Sequence, residues 1–248
     1  MQLTVHVDGK ALGAAAAREG AAAVSAAIAE KGQAVVVLAT GASQLRMLAD
    51  LIQADIDWSK VMVFHLDEYV GLGLDHPASF RRYLQERFVN KVTGLKEFVA
   101  VDGDANDIDA EIGRLNRRLG AETVDVCFAG IGENCHLAFN DPPADFDVED
   151  PYILVELDEA CRRQQLGEGW FSTLDDVPRR AVSMTVRQIM KSQQIVLSVP
   201  DERKAAAVVR AVEASVSPEA PASILQRHPA ASLHLDRASA SLLAAHKT

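Results

Sequence analysis

The sequence predicts an α/β fold, doubly wound, with a mostly parallel sheet covered by helices on both faces and formed as a single domain over residues 1–248. Three observations lead there. Apolar runs such as AVVVLA (34–39), VMVFH (61–65) and QIVLSV (194–199) do not alternate with polar residues, which is the pattern of strands buried on both faces. Stretches with helical spacing separate them, so strands and helices take turns along the chain. Small, polar or glycine-punctuated turns follow several of these strands at their carboxyl ends, where open α/β sheets hold ligands.

Taken in order, Leu3 to Val7 alternates as a short strand. Ala11 to Lys31 is alanine-dense without proline, carries Val24 and Ile28 on one face, and stops at Gly32, a suitable C-terminal cap. Ala34 to Ala39 is a buried strand followed by the turn Thr40-Gly41-Ala42-Ser43-Gln44 and a helix from Leu45 to Ile56. Strand, small polar turn and helix together aim free backbone N–H groups at an anion. No Gly-Lys-Ser/Thr follows, which argues against ATP. Such a turn, taken alone, is more often an ordinary helix cap.

Val61 to His65 is the next strand and ends in Leu66-Asp67-Glu68-Tyr69, where two carboxylates are either a solvated turn or a pair with one inward member. A helix is expected from His76 to Val89 with Pro77 in its first turn, a short strand at Phe98–Val101, and an amphipathic helix at Asp107–Gly120 with Ile108, Ile112, Leu115 and Leu119 inward. Tyr152–Leu157 reads as a strand. Asp158–Phe171 reads as a polar, glycine-punctuated loop or lid carrying Arg162 and Arg163. Ala181–Lys191 reads as a helix, Gln194–Val199 as a strand, and Pro200–Lys204 as the start of a helix capped by Asp201. Lys204 in that first turn opposes the helix dipole, which a bound anion or simple exposure would explain. A short proline-led helix at Ser217–Arg227, a strand at Ser232–Leu235 and a C-terminal helix complete the chain.

Composition narrows the function classes. The chain is 48% apolar and 24% charged, ordinary for a globular protein, and its net charge of −10 disfavours nucleic acid or an anionic membrane as partner. Cys127, Cys135 and Cys161 are odd in number and lack zinc-site spacing, which fits reduced thiols in the cytoplasm. MQLTVHVDGK lacks the pattern of a signal peptide, and no run approaches the ~20 apolar residues of a membrane helix.

The densest chemistry lies in Val124–Pro143, VDVCFAGIGENCHLAFNDPP. An apolar strand ends in Gly130-Ile131-Gly132, and Glu133, Asn134, His136, Asn140 and Asp141 follow at once. A histidine and a carboxylate beyond a strand end suggest proton transfer, although a lone histidine in a glycine turn is more often a satisfied structural group. Cys135 occupies the third glycine position of a dinucleotide fingerprint, so a nicotinamide site is disfavoured.

With ATGAS, LDEYVGL, GIGENCHLAFNDP, the Lys204 helix and LQRHP on nearly the whole chain, the sequence resembles the glucosamine-6-phosphate deaminase/isomerase family, whose superfamily also holds 6-phosphogluconolactonases. The resemblance implies an enzyme that converts an amino-sugar phosphate to a ketose phosphate and ammonia, with no metal or cofactor. It implies Asp67 as the proton shuttle between C2 and C1, and His136 as the group assisting ring opening. Asn134 and Asp141 fall at the two acidic positions flanking that histidine. Thr40, Gly41, Ala42, Ser43 and Lys204 match the phosphate site. The expected partner is therefore a small sugar phosphate, with self-association into a homo-oligomer left open.

Departures accompany the match. Asp141 stands where glutamate is commoner, Asn134 where aspartate is common, and Cys135 replaces a glycine. Ala42 and Gln44 replace Gly and Pro in the turn. The family's arginine before a Phe-Phe pair has no clean counterpart in RRQQLGEGWF, where Glu168 and Gly169 stand near its place. Arg162 or Arg163 is the nearby substitute, and Arg163 is counted here among the phosphate contacts. The acidic 145–150 loop lies where regulated members carry basic residues, which speaks against allosteric activation. A lactonase is the alternative enzyme, but AFNDP and DEYVGL favour the deaminase branch. A non-catalytic sugar-phosphate-binding protein is the other alternative, and its repressor-type form is disfavoured because the chain has no spare ~50–60 residues for a DNA-binding module.

Overall fold

Seven strands pair, all in parallel, into one sheet in the computed structural model, which describes residues 1–244. The strands are β1 (Gln2–His6), β2 (Ala34–Leu38), β3 (Val61–His65), β5 (Glu97–Val99), β6 (Val126–Ala129), β9 (Gln194–Val199) and β10 (Ala231–Asp236), in the order β1-β10-β9-β6-β2-β3-β5. From β2 the chain winds outward through β3 to β5. It then returns to the other side of β2 at β6 and winds out through β9 and β10. The reversal between β2 and β6 opens a crevice at their carboxyl ends.

Helices cover both faces because both faces are apolar. Val36, Leu38, Val63 and Phe128 point to one core with α1 (Gly9–Lys31) and α2 (Leu45–Leu51). Val35, Val37, Phe64 and Leu197 point to the other, with α4 (Ile108–Gly120) and α7 (Ala205–Val212). Helix α1 begins at the Asp8 cap, whose carboxylate accepts from Ala11 N, and ends at Gly32 in the left-handed conformation. Its Gly20 has a packing role: a Cβ there would lie 2.1 Å from the buried Phe128 ring. Alanine for glycine inside a helix ordinarily gains up to ~1 kcal/mol. Here overpacking against a strand at the crevice, typically ~1–3 kcal/mol, outweighs it. Gly20→Ala is therefore expected to lower Tm by a few degrees in a thermal melt, where an ordinary helical glycine would raise it.

A second, three-stranded antiparallel sheet was not foreseen. It joins β4 (Asp67–Tyr69), β8 (Arg180–Met184) and β7 (Tyr152–Glu156) in the order β4-β8-β7. The helix expected at Ala181–Lys191 is thus corrected to strand β8 followed by one turn, α6 (Val186–Met190), capped by Thr185. Alanine, methionine, arginine and glutamine gave the window its helical look. The pairing of residues 181–184 with two neighbouring strands overrides that local preference.

The segment read as a loop or lid at Asp158–Phe171 contains helix α5 (Glu159–Gly167), with Asp158 as its cap. The expected helix at His76–Val89 begins later, as α3 (Phe80–Leu84) capped by Ser79, and continues as a wider turn through Gln85–Val89. Residues 237–244 are turns rather than a C-terminal helix, and residues 245–248 of that expectation lie outside the described residues.

Candidate active site

The crevice is a cavity of about 360 Å³, lined by the segments that follow β2, β3, β6 and β9. Asp67, His136, Thr40, Gly41, Ala42, Ser43 and Lys204 all face it. The structure thus brings together residues from four strand ends that the sequence offered separately.

Asp67 owes its position to the junction of the two sheets. Leu66 donates its N–H to Leu38 O at 3.1 Å, on β2, and accepts from Met184 N at 3.0 Å, on β8. The next residue is therefore fixed at the crevice floor. Its carboxyl is buried, and that burial, followed by the charge of Glu68, raises its pKa to about 8. Glu68 points the other way. It accepts from Tyr69 N, Ser79 Oγ, Phe80 N and Arg81 N at 2.7–3.1 Å, and so caps the start of α3. The adjacent carboxylates divide into one facing the cavity and one holding the scaffold.

His136 stands over glycine for a steric reason. A Cβ on Gly132 would lie 2.3 Å from His136 Nε2, so only glycine leaves room for the ring. His136 Nδ1 donates to Asp141 Oδ1 at 3.0 Å. Asp141 Oδ1 also accepts from Asn134 Nδ2 at 2.9 Å, and its Oδ2 from Asp158 N at 3.0 Å. Burial alone would raise the Asp141 pKa. The hydrogen bond and charge of His136, then Asn134 and the Asp158 N–H, outweigh it, and the net shift is downward. An ionised Asp141 fixes the ring tautomer, with Nδ1–H toward the carboxylate and Nε2 free.

Asn134 is intelligible in this setting. Its amide also reaches Asp158 Oδ2 at 3.3 Å, so it supplies donors between two carboxylates. An aspartate there would place a third negative charge among them. Cys135 and Ala138 nearby take positive φ, 78° and 50°, conformations that cost a non-glycine residue free energy.

The end of the cavity expected to hold an anion is built from the turn after β2 and the segment after β9. Gly41 adopts φ 95°, and its carbonyl accepts from Tyr83 Oη at 3.0 Å, which anchors the turn. Gln44, in the place of the family's proline, is fully buried and donates to Ala129 O at 3.2 Å and Ser198 O at 3.4 Å. It ties the turn to β6 and β9. Lys204 is buried, and desolvation is the main cause of its lowered pKa, against the opposing pull of Glu133 and Glu168.

Arg163 is corrected. It is 65% exposed and pairs with Glu159 one turn away on α5. Arg162 is buried but donates to the carbonyls of Leu174 and Val177. Neither lines the cavity. Once α5 is a helix, its inward face presents Gln164, Gln165 and, just beyond its end, Glu168. Arg203 also lines the cavity, and its position beside Lys204 beyond a strand end was the signal available for it.

His136, Asp141 and Cys161 place one potential metal-ligand atom each within 4.8 Å of one another. Burial and the charges of Asp141 and Asp158 push the Cys161 thiol far up, so the trio is a poor match for a thiolate-bound cation. Among the described residues, no helix is long and apolar enough to cross a membrane.

Comparison with known proteins agrees with this architecture. A family model described as glucosamine-6-phosphate isomerases/6-phosphogluconolactonase matches residues 7–234. Glucosamine-6-phosphate deaminase of Lactobacillus delbrueckii subsp. bulgaricus is 35% identical over 215 residues, 86% of this chain and 89% of that one. The solved structure of a monomeric glucosamine-6-phosphate deaminase superposes with a TM-score of 0.87 at 30% identity, covering 98% of this chain and 100% of the other. A 6-phosphogluconolactonase from Trypanosoma brucei superposes with a TM-score of 0.80, covering 98% of both chains, but at 16% identity it shares the fold alone.

Proposed function

We propose, from the premise that this chain belongs to the glucosamine-6-phosphate isomerase/6-phosphogluconolactonase family, that it is an amino-sugar phosphate deaminase. It takes glucosamine 6-phosphate or a close analogue, with water, to fructose 6-phosphate and ammonia. The observation that carries this reading is a buried, proton-retaining Asp67 in the same cavity as the His136–Asp141 pair.

The residues divide the work by their environments. His136, oriented by Asp141 and Asn134, takes the C1 hydroxyl proton at its free Nε2 and passes it to the ring oxygen as the C1–O5 bond breaks and the C1 carbonyl forms. Asp67, as carboxylate, then removes the C2 proton, and the electron pair forms the enolamine. The ammonium of the incoming amino sugar favours that carboxylate form despite burial. Asp67 returns the proton to C1, giving the 2-imine, which water hydrolyses to ketose and ammonia. The Thr40–Ser43 turn and Lys204 hold the phosphate, so that C2 and C1 both lie within reach of one carboxyl.

One deaminase-like unit over residues 1–248 accounts for these roles. The three buried free cysteines and the sugar-phosphate chemistry support a cytoplasmic protein acting on a small molecule. The test is ammonia release by purified protein given glucosamine 6-phosphate, galactosamine 6-phosphate or 6-phosphogluconolactone. Ammonia with a ketose phosphate from either amino sugar is expected, and lactone hydrolysis alone would reject the reading.

A further inference from the structure

The Glu168 carboxylate lies inside the cavity against the turn after β2. A Cβ on Gly41 would be 3.9 and 4.0 Å from its two oxygens. Its Oε2 is buried without a hydrogen-bond partner. It therefore stands beside the backbone proposed above for a phosphate, carrying the same sign of charge.

Its surroundings are mixed in charge. Lys204 and Arg203 line the cavity with it from the segment after β9, Ala42 from the turn and Gln164 from its own helix, and the positive charges of Lys204 and Arg203 act on it. Tyr83 and Tyr69 also feel its charge, and Glu133 shares Lys204 and Arg203 with it. Burial raises the Glu168 pKa, and Lys204, Gln164, Arg203 and the Ala42 N–H only partly offset that rise. A dianion placed at the turn would add a strong like charge, which favours protonation of a carboxylate so placed.

We propose that Glu168 is a further binding residue of that seat, a carboxylate near Lys204 and Arg203 while the site is empty and a neutral acid once a sugar phosphate enters. On arrival of the phosphate, Glu168 gains one proton from solvent. Its neutral carboxyl then donates a hydrogen bond to a phosphate oxygen rather than repelling it. Anion binding is thereby coupled to proton uptake and weakens as pH rises. This rests on the phosphate seat assigned above, and it goes further in making that seat titratable.

Sulfate is a suitable probe, because it is a tetrahedral dianion that does not itself titrate near neutrality. Calorimetry in buffers of different ionisation heat should show about one proton taken up per sulfate at the alkaline end. Glu168→Gln should abolish that uptake and tighten sulfate about ten-fold, within the range that a like charge at such a distance commands. In the same variant the KM for glucosamine 6-phosphate should fall and lose its rise with pH. Sulfate binding by the wild-type protein without proton uptake would overturn the inference, even if the variant folded poorly. So would an absence of sulfate binding to both proteins. Ammonia release reports separately on the deaminase reading, so wild-type turnover with an unchanged sulfate response would reject Glu168 alone.

Discussion

Asp67→Asn is expected to lower kcat roughly 10²- to 10⁴-fold, the span that a positioned general base supplies, with little change in substrate binding. The amide keeps the shape of the side chain but cannot accept the C2 proton. The same substitution should stabilise the fold at alkaline pH. The Asp67 pKa is raised to about 8 in the native protein, so its contribution to stability is complete below the unfolded value and is lost as pH climbs toward 8. Asparagine removes that loss. Thermal melts should therefore show a Tm gain for the variant at pH 8 that shrinks toward pH 5. In the wild-type protein, kcat/KM should rise with pH up to about 8 as the free base forms. Near-normal turnover by the variant would remove Asp67 from the chemistry, and a Tm difference independent of pH would remove its buried-acid character.

Gly132→Ala is expected to lower kcat about 10²-fold, although it adds one methyl group to a loop far from Asp67 in sequence. The new Cβ would lie 2.3–2.4 Å from three atoms of the His136 ring, so the imidazole must move. Its bond to Asp141 is then lost, and a misplacement on the order of 1 Å costs about this much in rate. Gly130→Ala is the milder control, with its nearest side-chain atoms, on Gln44 and Ser43, at 3.1 and 3.2 Å. Steady-state kinetics on the two variants, with near-ultraviolet circular dichroism to confirm packing, separates the cases. Equal and small effects would mean that His136 does not act through its placement over Gly132.

How far the sequence could be read follows from where its signals are local. The buried strands announce themselves as unbroken apolar runs, and β3 and β9 fall at the predicted residues 61–65 and 194–199. Asp67, His136, the Thr40–Ser43 turn and Lys204 are legible for the same reason, since each follows a strand end. Strand β8 was not, because its helix-tolerant residues are held by pairing partners far along the chain. Helix α5 was hidden by a polar sequence that ends in Gly167 and Gly169, although Asp158 in front of it was a fair N-cap signal. That one misreading displaced the arginine assignment, because the direction of a helix face decides which of Arg163, Gln164 and Glu168 turns inward. Glu68 shows the converse limit. Its adjacency to Asp67 was visible, but its role in capping α3 depends on Ser79 and Phe80 folding back onto it.

The most direct test of the account is a nuclear magnetic resonance analysis of the products formed from glucosamine 6-phosphate in deuterated water. Shuttling by Asp67 predicts ammonia and fructose 6-phosphate in equal amounts, with at least part of the new hydrogen at C1 carried over from C2. Release of ammonia with an aldose phosphate as the product, or recovery of unchanged substrate, would contradict it.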